Sequence, residues 1–189
     1  WLGSLKDKQN CVAITLGTGV GGGIIVNGRL LNGVHYQAGE LSFMQINMNA
    51  TGFNGFAGGA ASAVEMIKSV NKELGNKDET DGLAAFEAIN SGDAKAMPIF
   101  RDFCKKVATV IINVQSVADL DAYAIGGGIS AQPIVVEEIN HAYDEIINRN
   151  PLIGKTLTKP QILDAKFKNS ANLYGALYNL LLHVNGEEL

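Results

Sequence analysis

Gly17, Gly19 and Gly22 stand in G-x-G-x-x-G spacing within LGTGVGGGIIVNGRLL (16–31), and Glu40 follows at roughly the interval at which a dinucleotide site places its ribose-binding acid. Glycine has no Cβ, so backbone N–H groups in such a bend can come close to phosphate oxygens, and the Thr18 hydroxyl offers one more hydrogen bond. A hairpin whose glycines serve only the turn is the competing reading of Gly17–Gly19. A second glycine run, Gly126, Gly127 and Gly128, lies in DAYAIGGGIS (121–130). A strand that passes through glycines into a helix could gather a ligand at its carboxyl end, or the glycines could serve close packing of the helix on the sheet. Cys11 and Cys104 lie far apart and outside any C-x-x-C pair, which argues against a zinc site and fits buried free thiols in a reducing cytoplasm. Of the histidines, His141 falls in a helix pattern and His183 near the C-terminal end, where surface or core placement explains them; His35 precedes Glu40 in a loop and could line a ligand pocket.

The elements that carry these residues decide between the readings. CVAITL (11–16) alternates as a strand with Val12, Ile14 and Leu16 on one face, and Ile24, Ile25 and Val26 form a second apolar run after the glycines. Asn27-Gly28 is a strong hairpin signal leading into Arg29, Leu30 and Leu31. A dinucleotide fingerprint requires a helix to spring from its third glycine, and Gly21-Gly22-Gly23 would each cost about 1 kcal/mol relative to Ala inside one. The context is strand, glycine turn, strand, so the dinucleotide reading fails.

Residues 32–59 read as loop with brief strands, FMQI (43–46) being the expected one. Ser62 and Glu65 have capping-box spacing, and Ala63, Val64, Ile67, Val70 and Leu74 recur at helical intervals up to Gly75. A shorter helix is expected from about Asp81 to Asn90. A long one follows with an apolar stripe of Ile99, Phe103, Val107, Val110, Ile111 and Val114, started or kinked by Pro98. Ala122–Ile125 is a strand that passes through the glycines into a helix bearing Ile134, Val135, Ile139, Ile146 and Ile147. PQILDA (160–165) is a last strand, and 171–182 a last helix with Leu173, Leu177, Leu180 and Leu181 available for packing. Three hairpin-joined strands, followed by helices alternating with two more, make the plan of an α/β, RNase H-like (actin-like ATPase) lobe with a mixed sheet.

Length and charge narrow the partners. With 189 residues the chain suits one domain, spanning 1–189. It is 47% hydrophobic and 18% charged, so disorder is not expected, and no apolar run approaches the ~20 residues that cross a bilayer. A net charge of -4, with 15 Lys and Arg scattered among 19 Asp and Glu, leaves no basic stripe for nucleic acid. No initiating Met is present and Trp1 opens nothing like a signal peptide, so the chain is expected to be part of something longer.

The stretch LGTGVGGGIIVNGRLLNGVHYQAGE (16–40), with IGGGIS (125–130) and SANLYGALY (170–178), resembles the signature of the ROK family of sugar kinases and sugar-responsive repressors, and the likeness covers essentially the whole chain. The resemblance implies that Gly17, Thr18 and Gly19 contact the ATP phosphates, that Gly126, Gly127 and Gly128 border the adenosine, and that Glu40, in Ala38-Gly39-Glu40, accepts hydrogen bonds from sugar hydroxyls. A lone Glu in a loop is otherwise ordinary solvated surface. ATP and Mg²⁺ are the implied cofactors, and a homodimer through this lobe the implied assembly.

Departures from the family pattern matter as much. Zinc-containing members follow A-G-E with a G-H pair and a later cysteine cluster; this chain reads Ser42-Phe43 at the first place and GFNGFAGGAAS (52–62), without cysteine, at the second. Zinc is therefore not expected. The family's histidine also touches the sugar, and leaving a buried hydroxyl unpaired costs about 1–3 kcal/mol. Phe43 cannot replace that bond, although its face could stack on a sugar or glycoside ring. The glutamate after the family's last cysteine is also missing, the region of Gly58 standing in its place.

The family's catalytic Asp lies in an N-D-x-N-like segment upstream of the first strand, and Trp1–Asn10 holds nothing of that form. No catalytic residue is thus assigned to this chain, and the isolated chain is expected to be inactive for want of the other lobe. The expectation is an ATP-dependent kinase acting on a hexose or glycoside. The alternative is the sugar-sensing, non-catalytic lobe of a ROK-type repressor, whose helix-turn-helix would precede the missing lobe; a degenerate sugar-binding scaffold is a third.

Overall fold

A computed structural model describes residues 2–186; Trp1 lies outside the described residues. Strands β1 (Cys11–Leu16) and β2 (Val20–Val26) pair antiparallel, with Leu16 opposite Val20, so Gly17, Thr18 and Gly19 alone make the bend. Asn27 and Gly28, both at positive φ (52° and 75°), turn the chain into the two-residue β3 (Arg29–Leu30) as their sequence predicts. Gly22 therefore sits inside a strand, and no helix springs from it.

The segment after β3 differs from expectation. FMQI (43–46) is not a strand: Phe43 closes a single 3-10 turn, Leu41–Phe43, and Gln45 contributes only an isolated bridge to Phe56. Its alternating pattern finds no neighbouring strand to complete a ladder. A second 3-10 turn (Gly52–Gly55) and a short helix α1 (Ala57–Ala60) follow, neither expected from so glycine-rich a run.

Helix α2 (Ala63–Leu74) begins where predicted, the Ser62 hydroxyl accepting from the Glu65 N–H at 3.2 Å, and ends at Gly75 in the left-handed conformation. The Glu65 carboxylate turns to Lys68 (2.8 Å). Asp81 caps α3 (Gly82–Asn90), which buries Phe86 and Ile89. In α4 (Ala96–Ala118) Pro98 occupies the first turn, where a missing N–H costs nothing, and Asp93 accepts from the Lys95 and Ala96 amides. All of its predicted stripe is buried except Ile99, which packs at the margin of the core.

Strand β4 (Ala122–Gly127) runs parallel to β1, then α5 (Pro133–Asn148) crosses back. Helix α6 (Pro151–Thr156), capped by Asn150, was not foreseen although Asn-Pro is a start signal, and β5 (Gln161–Asp164) pairs parallel with β4. The sheet order is β3-β2-β1-β4-β5, the RNase H-like, actin-like plan read from the sequence. Val12, Ile14 and Leu16 face a core shared with α2, α4 and α5, whereas Ala13 and Thr15 on the opposite face are exposed. The last helix, α7 (Ala171–Asn185), corrects one expectation: Leu173, Leu177, Leu180 and Leu181 are exposed, and of its described residues only Leu182 is buried. The helix begins beside the carboxyl ends of β1 and β4, where Ala171 and Asn172 line a cavity with Thr15 and Gly126, and Tyr174 stacks on Phe167 (3.9 Å between ring centres); among the described residues its four leucines stay exposed.

Candidate functional site

The two glycine runs meet because β1 and β4 are parallel and in register, Thr15 beside Gly126 and Leu16 beside Gly127. Both runs thus lie at the strands' carboxyl ends, where ligands of such sheets gather. The bend is closed by the Gly17 N–H donating to the Gly19 carbonyl (3.1 Å), and it is docked on α2 by the Gly17 carbonyl, which accepts from the Ala63 N–H (2.9 Å). Among the described residues, the Thr18 and Gly19 amides meet no acceptor, and the Thr18 side chain is exposed. The bend thus offers two amides with no acceptor among the described residues and one exposed hydroxyl, which suits an anion, while the first amides of α2 are taken up by the Gly17 carbonyl and by Ser62.

The three glycines of the second run do different jobs. Gly127 has φ +96°, and a Cβ there would run into the Leu16 backbone, so the fold itself demands glycine. Gly126 is buried, and a Cβ would stand 3.4 Å from that of Ala165. Gly128 is exposed, with nothing within 4 Å of an added Cβ. It is the one whose open space a ligand could use.

Gly128 and Gly17 also line a cleft of ≈ 540 Å³ whose other walls are α2 (Val64, Ile67), the residues leading into α3 (Asp78, Thr80, Asp81), α3 itself (Leu83, Phe86), and Ile129 and Gln132. Apolar walls with a few polar groups at the rim make a cofactor-sized site. The α3 wall was not legible as a site in the sequence, where Asp81 signalled only a helix cap. Asp78 accepts from the Thr80 hydroxyl (2.7 Å) and N–H (2.8 Å), and these bonds hold its carboxyl below the usual range, ionised at the cleft rim.

Glu40 lies outside this cleft. It is exposed and precedes the 3-10 turn Leu41–Phe43. The turn is seated by a glycine interlock: a Cβ on Gly39 (φ +88°) would come within 2.6 Å of the Gly22 carbonyl, and one on Gly22 within 2.6 Å of Leu41 Cδ1. The third glycine of the G-x-G-x-x-G pattern thus positions the Glu40 turn against β2. Sequence reasoning missed Ser42, whose hydroxyl accepts from the Val20 N–H (3.0 Å) and donates to the Val20 carbonyl (3.1 Å), tying this turn to the exit of the glycine bend.

No cysteine or histidine cluster holds residues 44–59. The Gly55 carbonyl accepts from the Ile46 and Asn47 amides (3.0 and 3.1 Å), the Met44 carbonyl from the Ala57 N–H (2.8 Å), and Phe53 stacks on Phe56 at 6.3 Å. Among the described residues no group of three His, Cys, Asp or Glu side chains could hold a metal. His35, His141 and His183 are all exposed, His141 beside Glu138 (3.4 Å) on α5. Cys11 and Cys104 are free and buried, and burial pushes both thiols up.

A family model described as "ROK family" matches residues 1–182. A β-glucoside kinase of Listeria monocytogenes is 28% identical over 100% of this chain and 62% of its own length. Among solved structures, a ROK family protein from Streptococcus pneumoniae in complex with sucrose superposes with a TM-score of 0.84 at 27% identity, over 95% of this chain and 61% of that one. A ROK family glucokinase from Streptomyces griseus, in complex with glucose and AMPPNP, gives 0.79 at 25% identity, over 90% of this chain and 60% of that one. The chain spans about three-fifths of the length of these relatives.

Proposed function

Because the chain belongs to the ROK family, we propose that the protein carrying it transfers the terminal phosphoryl group of ATP to a hydroxyl of a hexose or glycoside. The observation that carries this reading is the pair of amides at Thr18 and Gly19, which meet no acceptor among the described residues, set beside the cleft that Gly17 and Gly128 share. In the reading, the Thr18 and Gly19 N–H groups and the Thr18 hydroxyl hold the outer phosphates, with Gly17 shaping the bend. The nucleoside enters the ≈ 540 Å³ cleft past Gly128, while Gly126 and Gly127 keep β4 close against β1. Glu40 accepts hydrogen bonds from the sugar.

Phosphoryl transfer asks a protein mainly for positioning and for donors aimed at developing negative charge. The bend supplies the donors, and the Ser42 bonds set the sugar turn against the bend. Magnesium would travel with the triphosphate, a mode that needs few protein ligands and suits a chain whose described residues hold no metal cage. The base that takes the sugar's proton is assigned to an aspartate of a preceding lobe, which makes this chain alone inactive in transfer. A cytoplasmic homodimer belongs to the same reading, and two buried, unpaired thiols suit a reducing compartment.

The test is sugar-dependent release of ADP from ATP by the protein carrying this chain, over a panel of hexoses and glycosides, alongside Thr18→Val. Turnover with at least one sugar, lowered roughly a hundredfold by Thr18→Val, is expected. Sugar binding without turnover would replace the kinase reading with the sensor one.

A further inference from the structure

Lys168 lies in the turn between β5 and α7 with φ +44°, in the left-handed region that a residue with a side chain enters at a cost glycine would not incur. A lysine at that place calls for a reason outside the turn itself. Its arm runs back to the exit of the second glycine run, where the ammonium donates to the Ala131 carbonyl at 3.5 Å. That single long bond leaves most of its capacity unused, because an ammonium carries three N–H donors and Lys168 is paired with no carboxylate among the described residues.

The surroundings of the ammonium indicate which ligand. A second hollow, of ≈ 250 Å³, opens at the carboxyl ends of β1 and β4 on the face of Ala13 and Thr15, and Lys168 is the only ionisable side chain lining it among the described residues. Its charge is therefore positive. This hollow and the ≈ 540 Å³ cleft share Leu16, Gly17 and Gly128 as a common wall. Gly17 and Gly128 have nothing within 4 Å of an added Cβ, so the sill between the two spaces is low and open. A nucleotide whose nucleoside fills the cleft carries its phosphates over that sill, with the Thr18 and Gly19 amides on one side and the Lys168 arm on the other. A compact, mobile ammonium is well matched to phosphate oxygens, and the charge makes each such bond stronger than a neutral one.

Resting on the assignment of the cleft and the bend to ATP, we propose that Lys168 is a phosphate-binding residue, whose ammonium swings from the Ala131 carbonyl to the phosphate chain of the nucleotide and holds it against the Thr18 and Gly19 amides. The flexible four-carbon stem permits the swing. The left-handed turn fixes where the stem starts, beside the hollow and not out in solvent.

The test measures Kd on the protein carrying this chain, with a non-hydrolysable ATP analogue, ADP and adenosine as probes. Lys168→Met keeps the stem and removes the charge; it should weaken both phosphate-bearing probes about tenfold, leave adenosine within roughly twofold, and flatten the salt dependence of triphosphate binding. Lys168→Gly should lose the same affinity without melting lower, since glycine accepts the φ of the turn, so the loss cannot stem from the fold. Lys168→Arg should keep binding. Thr18→Val runs in parallel. If Thr18→Val weakens the triphosphate while Lys168→Met does not, or if Lys168→Met weakens adenosine equally, the phosphate role of Lys168 is overturned and the nucleotide site stands. If the protein binds none of the three probes, the nucleotide site fails and the role of Lys168 falls with it.

Discussion

The hydroxyl of Ser42 bridges both backbone groups of Val20, accepting from its N–H at 3.0 Å and donating to its carbonyl at 3.1 Å. Val20 is fully buried at the first position of β2, so no water waits to take over either bond. One side chain thereby joins the glycine bend to the turn that carries Glu40 and Phe43.

Ser42→Ala removes both bonds and adds no bulk. A loss of about 1–3 kcal/mol is expected, with a thermal midpoint lower by roughly 2–4 °C per kcal/mol for a chain of this size. Urea titration with an unchanged m-value would show that stability, and not the unfolded state, has moved.

Neighbouring glycines should respond in opposite ways. Gly127→Ala places a methyl group against the Leu16 backbone at a φ of +96°, and about 2–5 kcal/mol of destabilisation is expected. Gly128→Ala meets open space, so the fold should keep its stability while nucleotide affinity falls. Paired melting curves and nucleotide titrations check both halves, and equal thermal losses would remove the distinction between structural and ligand-facing glycines.

Much of this architecture was legible because the signals were local. Gly17-Thr18-Gly19 and Asn27-Gly28 are turns that their own residues dictate, and Ser62 and Asp81 cap helices through bonds to residues two or three along. The misses share a different cause. FMQI alternates like a strand but among the described residues makes only the isolated Gln45–Phe56 bridge, and Leu173, Leu177, Leu180 and Leu181 have helical spacing yet stay exposed among the described residues. Gly22 belonged visibly to a phosphate-type motif, yet its work is to admit Leu41 and Gly39, which no spacing rule could reveal. The cleft wall at Asp78–Phe86 comes from tertiary approach of α3 to α2, so only Gly17 and Gly128 on its opposite side carried a sequence signal.

Alkaline pH should weaken the fold. Burial raises the Cys11 and Cys104 thiols and the Tyr123 hydroxyl, and pushes Tyr143 up to about 12. Above the unfolded thiol value of about 8.5 the unfolded chain holds fewer protons than the native one, so stability falls with rising pH. Their stabilising contribution is complete below that value and is lost as pH climbs through the folded-state values. Urea midpoints measured between neutral pH and pH 10 should decline, and both thiols should resist a thiol reagent at pH 8 until the chain is unfolded. Rapid labelling of native protein would contradict the burial of Cys11 and Cys104.

The central claim is that the Thr18 and Gly19 amides receive the phosphates of a nucleotide. Amide NMR of the protein carrying this chain, titrated with a non-hydrolysable ATP analogue and separately with AMP, tests it most directly. The account predicts that the Thr18 and Gly19 resonances shift saturably with the triphosphate and far less with AMP, while Gly128 responds to both. Resonances of the bend that stay in place as the triphosphate saturates the protein would contradict it.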